Sequence, residues 1–290
     1  MSISDTHIQG LMKAFDAPWP GPKGNKYTLK SDLLELTVCP EDGARIIDLK
    51  YKGINILRPY NEQRRAFQYG CFPMIPWVGR VENGDIKFNS KTYHLYQNKG
   101  KNAMHGIAHF ENWQVISSDD HSIVLMFTLG NPWPWSGRVY EKLQIKDNIL
   151  EMSLKVETDK ASFPASVGWH PWFLKDPKNT GKNELHVSFM ADSMEEIIDE
   201  LPTTRKLAVT QGPYDDCFNF DNYNAGAKLE YQDDFLINIT SNCPALIVFD
   251  KQPDATCVNT ITGVPNDVNT NPNIVTPIKP LEAKAKWEFI

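Results

Sequence analysis

Four polar residues that lie far apart in the chain could share one kind of chemistry. Arg80 follows an apolar segment at 72–79, His105 lies in Met-His-Gly, His170 lies in Gly-Trp-His-Pro-Trp-Phe, and Asp215 begins Asp-Asp-Cys-Phe. A histidine can hold and release a proton near neutral pH, and guanidinium and carboxylate groups bind hydroxyls through charge-assisted hydrogen bonds. These residue types indicate acid–base work on a hydroxyl-bearing ligand.

Each residue also has an ordinary structural interpretation. A lone histidine in an apolar setting is usually a hydrogen-bonded core residue. Arg80 could pair with Glu82 or Asp85, and Asp215 could be a turn residue after 212–214.

The spacing of the histidines and cysteines disfavours two other kinds of site. The chain has no His-x-His or Cys-x-x-Cys pair and only one His-x-x-x-His pair, His105 and His109, so we expect no metal. It has no Gly-x-Ser-x-Gly sequence, which disfavours a serine hydrolase.

Tryptophan is abundant, with 8 residues, and three of them flank the polar candidates. Trp77 precedes Arg80, and Trp169 and Trp172 bracket His170. Aromatic faces can bind the apolar C–H side of a sugar, although aromatics beside proline are also common in cores. We take Trp172 as the aromatic candidate for the site.

The elements that must position these residues are strands. Apolar Leu150, Met152, Leu154 and Val156 alternate with polar residues, which predicts a strand with one buried face. Asp147-Asn148 predicts the turn of a hairpin with the preceding strand. Other strand-like runs are 34–39, 44–51, 85–88, 113–117, 122–129, 184–189, 235–240, 245–250 and 284–290.

Helical signals are weak. A short helix is predicted over 192–201, with Asp192 or Ser193 as N-cap, and another turn or two over 5–15. Many strands and few helices predict an all-β protein, a large antiparallel β-sandwich. We expect one domain over 1–290, with an irregular wrap over about 1–30.

Composition excludes several classes of protein. Hydrophobic residues make up 41% of the 290 residues, and the net charge of −6 is scattered, which disfavours a disordered chain and a nucleic-acid partner. The 5 cysteines are odd in number, which favours a reduced, cytoplasmic protein. No signal peptide or membrane span is evident. A monomer or homodimer remains open.

The motifs together resemble the aldose 1-epimerase (galactose mutarotase) family. Gly-Arg-Val-Glu-Asn-Gly-Asp-Ile-Lys-Phe (79–88) is similar to the family's Asn-Arg-Ile/Val and Gly-x-Phe stretch. Met-His-Gly (104–106), His-Pro-Trp-Phe (170–173) and Asp-Asp-Cys-Phe (215–218) follow in the family's order. The likeness runs from about residue 34 to the C-terminus.

This resemblance implies a galactose mutarotase-like supersandwich without a cofactor that interconverts the anomers of a hexose. It also implies roles for the site residues. His170 would protonate the ring oxygen, His105 and Arg80 would bind the ring oxygen and nearby hydroxyls, and Asp215 would accept bonds from sugar hydroxyls.

The chain departs from the family pattern at the base. Where the family has Cys-Val-Glu-Pro, this chain has Cys-Val-Asn-Thr, so Asn259 stands in place of the catalytic glutamate. An amide has no useful basicity, and general-base help is worth about 10²–10⁴-fold. A second departure is Gly79, where the family usually has Asn.

Another carboxylate could replace the base. Asp254, Asp267, Asp216 and Glu111 are the candidates. A phosphorylated substrate would need basic residues at the rim, for which the candidates are Arg64-Arg65, Lys99 and Lys101.

Three functions therefore remain open. The first is an aldose 1-epimerase or a related hexose epimerase. The second is a carbohydrate-binding protein without catalysis, because Asn259 replaces the base. The third is a β-sandwich interaction domain with no sugar ligand.

Overall fold

The computed structural model describes residues 21–183, 185–232 and 234–290. The described chain is built almost entirely from antiparallel strands, as predicted. In chain order the strands are β1 (Tyr27–Lys30), β2 (Leu34–Cys39), β3 (Arg45–Tyr51), β4 (Ile54–Asn55), β5 (Cys71–Met74), β6 (Arg80–Val81), β7 (Asp85–Phe88), β8 (Lys91–His94), β9 (Ala103–Met104), β10 (Gln114–Ser118), β11 (Ser122–Leu129), β12 (Gly137–Lys146), β13 (Ile149–Glu157), β14 (Phe163–Ala165), β15 (Gly168–Leu174), β16 (Leu185–Ser188), β17 (Ser193–Ile198), β18 (Leu201–Leu207), β19 (Asp215–Asn219), β20 (Ala227–Tyr231), β21 (Phe235–Ser241), β22 (Ala245–Phe249), β23 (Ala255–Ile261), β24 (Asn273–Val275) and β25 (Leu281–Phe289).

Helical structure in the described residues is short. One α-helical turn, α1, covers Asp267–Thr270, and 3₁₀ turns cover Pro40–Asp42, Glu82–Gly84 and Ala108–Phe110. None of these helices is long and apolar enough to span a membrane.

Two large sheets pack face to face and enclose the main core. The first sheet has the order β1-β2-β3-β5-β15-β23-β22-β19-β17-β18, with β4 beside β3, and the second has the order β10-β11-β12-β13-β25-β21-β20-β16. The predicted alternation on β13 is confirmed, because Leu150 and Leu154 are buried against the first sheet's Trp169 and Phe173 in one core.

The predicted hairpin is also confirmed. Strands β12 and β13 pair up to Lys146 and Ile149, and Asp147 adopts a positive φ of 53° in the turn. Asp tolerates this conformation better than most residues, which is why the dipeptide was informative. Each of the other predicted strand runs overlaps an observed strand.

The helix predicted over 192–201 is wrong. This segment contains β17 and the turn into β18, with Ile198 paired to Leu201 and Met194 paired to Phe218 of β19. The capping residues and glutamates favoured a helix locally, but pairing with β19 extends the first sheet and overrides that weak preference. The β-branched pair Ile197-Ile198 is better suited to a strand.

Residues 27–30 are not part of an irregular N-terminal wrap, contrary to the prediction. Tyr27–Lys30 already pairs with β2 at the edge of the first sheet. The helical turns predicted over 5–15 lie outside the described residues.

A buried hydrogen bond joins the two sheets. Trp169 Nε1 on β15 donates to Glu141 Oε1 on β12 at 2.9 Å, and both residues are 1% exposed. Burial raises the pKa of Glu141 to about 8, although the bond from Trp169 opposes this. The carboxyl is therefore mostly protonated at neutral pH.

We predict that Glu141 makes stability fall as pH rises. Its folded pKa lies above the ordinary value of 4.5, so its contribution is complete below about pH 4.5 and is lost as pH rises through about 8. Glu141→Gln keeps an acceptor for Trp169 and cannot ionise. In urea unfolding, the free energy of unfolding of the variant relative to that of the wild type should rise by roughly 1–4 kcal/mol between about pH 5 and pH 9. Parallel pH profiles for the two proteins would contradict this prediction.

Candidate active site

The first sheet has a second face, on the side away from the second sheet, and the candidate site lies there. We call it the site face, made up on the central strands by His170 and Trp172 of β15, Asn259 of β23, Ile247 of β22 and Cys217 of β19. Side chains alternate along a strand, so these residues point away from the core that holds their neighbours. Trp169, Phe173, Val258 and Val248 are those neighbours, and all four pack in the main core.

The register of the strands places His170 and Asn259 side by side. Gly168 of β15 pairs with Ile261 of β23, and Trp172 pairs with Cys257. The two pairs are four residues apart on both strands, so the register does not change between them. His170 lies midway between them and is therefore level with Asn259. Asn259 in turn pairs with Ile247, and Ile247 pairs with Cys217.

A short ribbon above this face carries the next two candidates. Arg80 on β6 pairs with Met104 on β9, and His105 follows immediately. His105 has a φ of 61°, and its backbone N–H donates to Gly79 O at 2.8 Å. This turn brings His105 against His170, with ring centroids 5.0 Å apart and the rings at 87°.

All six predicted site residues line one cavity of about 300 Å³. They are His170, His105, Asn259, Arg80, Asp215 and Trp172. The structure therefore brings these six residues together. Trp77 and Trp169 are not among the lining residues, because both are buried in the main core.

His170 is held between aromatic rings. Its imidazole stacks on Phe72 at 4.8 Å and on Trp172 at 5.4 Å between centroids. Trp172 in turn donates from Nε1 to Phe67 O at 2.6 Å and lies under the Arg58 guanidinium at 4.6 Å. The ring of His170 is therefore fixed by packing rather than by a polar partner.

Burial keeps both histidines neutral. Loss of solvent lowers the pKa of His170 to about 3, with the charge of Arg45 acting in the same direction. Burial also holds the pKa of His105 well below its usual range, helped by His170, His109 and Arg80. A neutral imidazole offers one N–H donor and one lone pair.

Four polar atoms of the cavity residues are buried without a hydrogen-bond partner among the described residues. They are His105 Nδ1, His170 Nδ1, Arg80 Nε and Asn259 Oδ1. An unsatisfied buried polar group costs about 1–3 kcal/mol, so such atoms are rare in a protein interior. Fourteen such atoms occur among the described residues, and these four lie on residues of one cavity, where a polar ligand could satisfy them.

Arg80 does not pair with Glu82 or Asp85. Its NH2 donates to Glu200 Oε1 at 3.0 Å, while Asp85 contacts His94. Glu200 comes from the turn between β17 and β18 and lines the same cavity. The sequence analysis missed this residue, because it assigned the segment to a helix.

Asp215 lies at the mouth of the cavity as the first residue of β19. Although the residue as a whole is exposed, partial loss of solvent raises the pKa of its carboxyl, and the charges of Lys251 and Arg80 oppose this. It is available there as an acceptor for ligand hydroxyls.

The four candidates for a relocated carboxylate are placed differently. Only Asp216 lines the cavity, and its Oδ2 accepts a hydrogen bond from the Asp215 N–H at 3.0 Å. Asp254 forms ion pairs with Arg58 and Arg64 away from the cavity. Asp267 is buried beside a neighbouring cavity and accepts from Ser166 Oγ at 2.9 Å.

Glu111, the fourth candidate, is outside the lining and partly buried, which raises its pKa to about 7. Of the basic residues predicted for the rim, Arg65 and Lys99 line the cavity. Arg64 and Lys101 do not, and Arg64 is bound to Asp254 and to Pro59 O. Only two of the four basic residues that the sequence offered for binding a phosphate therefore line the cavity.

Gly79 lies at a sterically confined position. It has a φ of 61°, and a Cβ atom there would lie 2.5 Å from Cγ of Pro265, which also lines the cavity. Asn would accept the backbone angle but would bring the same Cβ contact. The glycine thus allows Pro265 to approach Arg80's strand closely.

We predict that Gly79→Ala destabilises the protein more than a matched glycine replacement does. Gly100 has nearly the same φ, 59°, but nothing within 4 Å of its Cβ position. Gly100→Ala should cost about 1 kcal/mol through backbone strain alone. Gly79→Ala should cost roughly 1–3 kcal/mol more, because Pro265 must move. Thermal and urea unfolding of the two variants measure the difference, and equal losses would rule out the contact with Pro265.

Comparison with known proteins agrees with the fold and the motifs. Residues 25–270 match the sequence model of the aldose 1-epimerase family. The uncharacterized protein YphB of Escherichia coli (strain K12) is 28% identical over 156 residues, which are 52% of this chain and 53% of that protein. The match thus spans about half the length of this curated relative.

Two crystal structures share the fold over almost their whole length. The GalM/aldose epimerase homologue from C. elegans superposes with a TM-score of 0.79 at 14% identity, covering 92% of this chain and 99% of that chain. Galactose 1-epimerase from Lactobacillus acidophilus NCFM has a TM-score of 0.77 at 17% identity, covering 94% and 97%. At these identities the likeness establishes the fold, a galactose mutarotase-like sandwich. With the family match over residues 25–270, it follows that the chain belongs to the aldose 1-epimerase family.

Proposed function

We propose that this protein interconverts the α and β anomers of a hexose by opening and reclosing the sugar ring. The observation that supports this most directly is the group of four unpartnered polar atoms on the cavity residues. A sugar ring presents hydroxyls and a ring oxygen that can satisfy such atoms. Its C–H face can pack on Trp172, as aromatic rings do with other apolar surfaces.

The two histidines are proposed to act at the ring oxygen. His170 is neutral at pH 7, so it can donate an N–H hydrogen bond but holds no spare proton. As the bond between C1 and the ring oxygen breaks, negative charge grows on that oxygen. The developing charge strengthens the hydrogen bond that the neutral His170 N–H donates to the ring oxygen, and so stabilises the transition state.

Arg80 and Asp215 are proposed to hold the sugar. The Arg80 guanidinium carries several donors in a fixed plane, and Asp215 offers carboxylate oxygens at the mouth. They lie on different walls of the cavity, so a sugar between them would be fixed in one orientation. Donors aimed at the place where charge develops stabilise a transition state without further rearrangement.

The proposed setting is a reduced compartment such as the cytoplasm. All five cysteines are free and buried. Burial raises the pKa of several of these thiols, Cys71, Cys217 and Cys257 among them, which makes them unreactive.

We predict that His170→Ala abolishes most of the catalysis. Optical rotation or NMR exchange spectroscopy on fresh α-D-glucose and α-D-galactose measures mutarotation. The variant should lose about 10²-fold or more in kcat/KM, because the ring oxygen loses its hydrogen-bond donor. His94→Ala is the control, since His94 is largely exposed and pairs with Asp85 outside the cavity. Acceleration that survives in His170→Ala would contradict the proposed role.

A second function, carbohydrate binding without catalysis, is favoured by one specific observation. Asn259 occupies the position of the family's base, is 1% exposed, and has no partner for Oδ1. Its amide can accept a hydrogen bond from a sugar hydroxyl but cannot keep the proton. Such a protein would bind the sugar at this cavity without turning it over.

The binding function predicts saturable sugar binding in calorimetry with no acceleration by the wild type. Asn259→Glu should then raise the mutarotation rate by about 10²–10⁴-fold, because it restores a base beside His170. Asn259→Gln adds the same length without a charge and serves as control. A gain that appears equally in both variants, or in neither, would rule out the missing base as the explanation.

A further inference from the structure

We propose that Asp254 is a positioning residue, which holds one wall of the cavity in place by neutralising two arginines behind that wall. This inference rests on the proposed anomer interconversion. Asp254 itself does not line the cavity, and both of its arginine partners belong to the segment 58–68. The same segment supplies three lining residues of the cavity, Arg65, Phe67 and Gln68. Asp254 is therefore placed to control this wall without touching the sugar.

The backbone of Asp254 is fixed to the end of β15. Its carbonyl oxygen accepts a hydrogen bond from the Lys175 N–H, directly after the strand, at 2.9 Å. The Lys175 ammonium group donates to the carbonyl oxygens of Asp250 and Gln252, both at 2.7 Å. The turn between β22 and β23 is thus held against the strand that carries His170, and it provides a rigid anchor for the carboxylate.

Arg58 and Arg64 share this one carboxylate. Arg58 binds it in a bidentate pair, with Nε 2.9 Å from Oδ2 of Asp254 and NH2 bonded to Oδ1. Arg64 NH2 lies 3.2 Å from Oδ2. Burial lowers the pKa of Arg64, and the nearby charge of Arg58 acts in the same direction while Asp254 opposes it. Without the carboxylate, two like charges on side chains that are 7% and 18% exposed would face each other uncompensated.

Arg58 connects the carboxylate to the residues that would contact a sugar. Its guanidinium lies over the Trp172 ring at 4.6 Å, and its NH1 donates to Gln68 O at 3.4 Å. Trp172 donates from Nε1 to Phe67 O, and its ring stacks on His170. The orientation of Arg58 therefore sets the position of Trp172 and of the wall beside it.

Asp254 is suited to orienting the arginines rather than to acid–base work. Partial burial acts to raise the pKa of its carboxyl, but the hydrogen bond and charge of Arg58, with the charge of Arg64, hold this pKa below its usual range. The group therefore stays charged at neutral pH. Exposed ion pairs contribute little, but Arg58 is buried and its pair is bidentate, a geometry that fixes direction as well as distance.

The test compares Asp254→Ala with Asp48→Ala by calorimetry and mutarotation on D-glucose and D-galactose. Asp48 forms an ion pair with Lys50 at 2.9 Å and does not line the cavity. Asp254→Ala should raise Kd and KM by about tenfold, because the wall is no longer preorganised, and should change kcat by no more than about threefold. Asp48→Ala should change each of these by no more than about twofold.

Added formate distinguishes positioning from a general loss of stability. A formate ion can take the place of the missing carboxylate between the arginines, so excess sodium formate should recover at least about threefold of the affinity lost in Asp254→Ala. Sodium chloride at the same ionic strength should recover less. Asp254→Asn should show the same loss without recovery, because its amide fills the space that formate needs, and it replaces the alanine variant if that variant unfolds.

Three results would overturn the assignment of Asp254. They are wild-type affinity in Asp254→Ala, a loss in kcat rather than in affinity, and equal recovery with formate and chloride. A wild type that binds aldoses but accelerates none of them would instead overturn the proposed interconversion, and the Kd values would still test Asp254. If the wild type binds no aldose, faster hydrogen exchange at the amides of 59–68 in Asp254→Ala, slowed by formate, is the remaining expected result.

Discussion

The site depends on the two faces of the first sheet having different partners. Along β15 the residues Trp169 and Phe173 pack against the second sheet, while His170 and Trp172 point the other way into the cavity. A shift of one residue in register would send the histidine into the core and a tryptophan into the cavity. The large core between the sheets therefore also fixes the direction of the site residues. The same alternation on β23 places Val258 in the core and Asn259 beside His170.

Burial then sets the chemistry of that face. A small apolar cluster that includes Phe67, Phe72 and Ile261 surrounds the histidines and removes water from them. This lowers the pKa of both imidazoles and leaves their Nδ1 atoms without partners. The packing of the two sheets offsets the free-energy penalty of these unsatisfied groups. In return, a sugar would meet neutral, rigid donors whose hydrogen bonds are strong in a medium of low dielectric constant.

Asn259, a neutral amide, lies level with His170 on this face. A carboxylate beside His170 would favour its protonated form, and a neutral amide does not. The charged groups of the cavity are found instead on its walls, where Glu200 faces Arg80 and Asp215 lies near Lys251. The hairpin of β17 and β18 is thus more than an edge of the sheet, because its Glu200 pairs with Arg80 and lines the cavity.

Several features of the protein could be predicted from local sequence. The alternation of Leu150, Met152 and Leu154 reflects side chains pointing to opposite faces of one strand, which needs no knowledge of distant residues. The positive φ of Asp147 in the hairpin turn is also a local property, because it depends on the residue's own side chain. Arg80, His105, His170 and Asn259 were recognised because each lies in a short motif, and the structure brings them to one cavity.

Other features were decided only by tertiary structure. The segment 192–201 has local helical signals, but its pairing with β19 makes it a strand and a turn. Glu200 meets Arg80, a partner 120 residues away, and no motif contains both. Asp254 and Asp267 are closer to Asn259 in sequence, yet the fold directs them to Arg58 and Ser166. The physical reason is that side-chain periodicity is a property of one strand, whereas neighbours across a sheet depend on register and strand order set by the whole core.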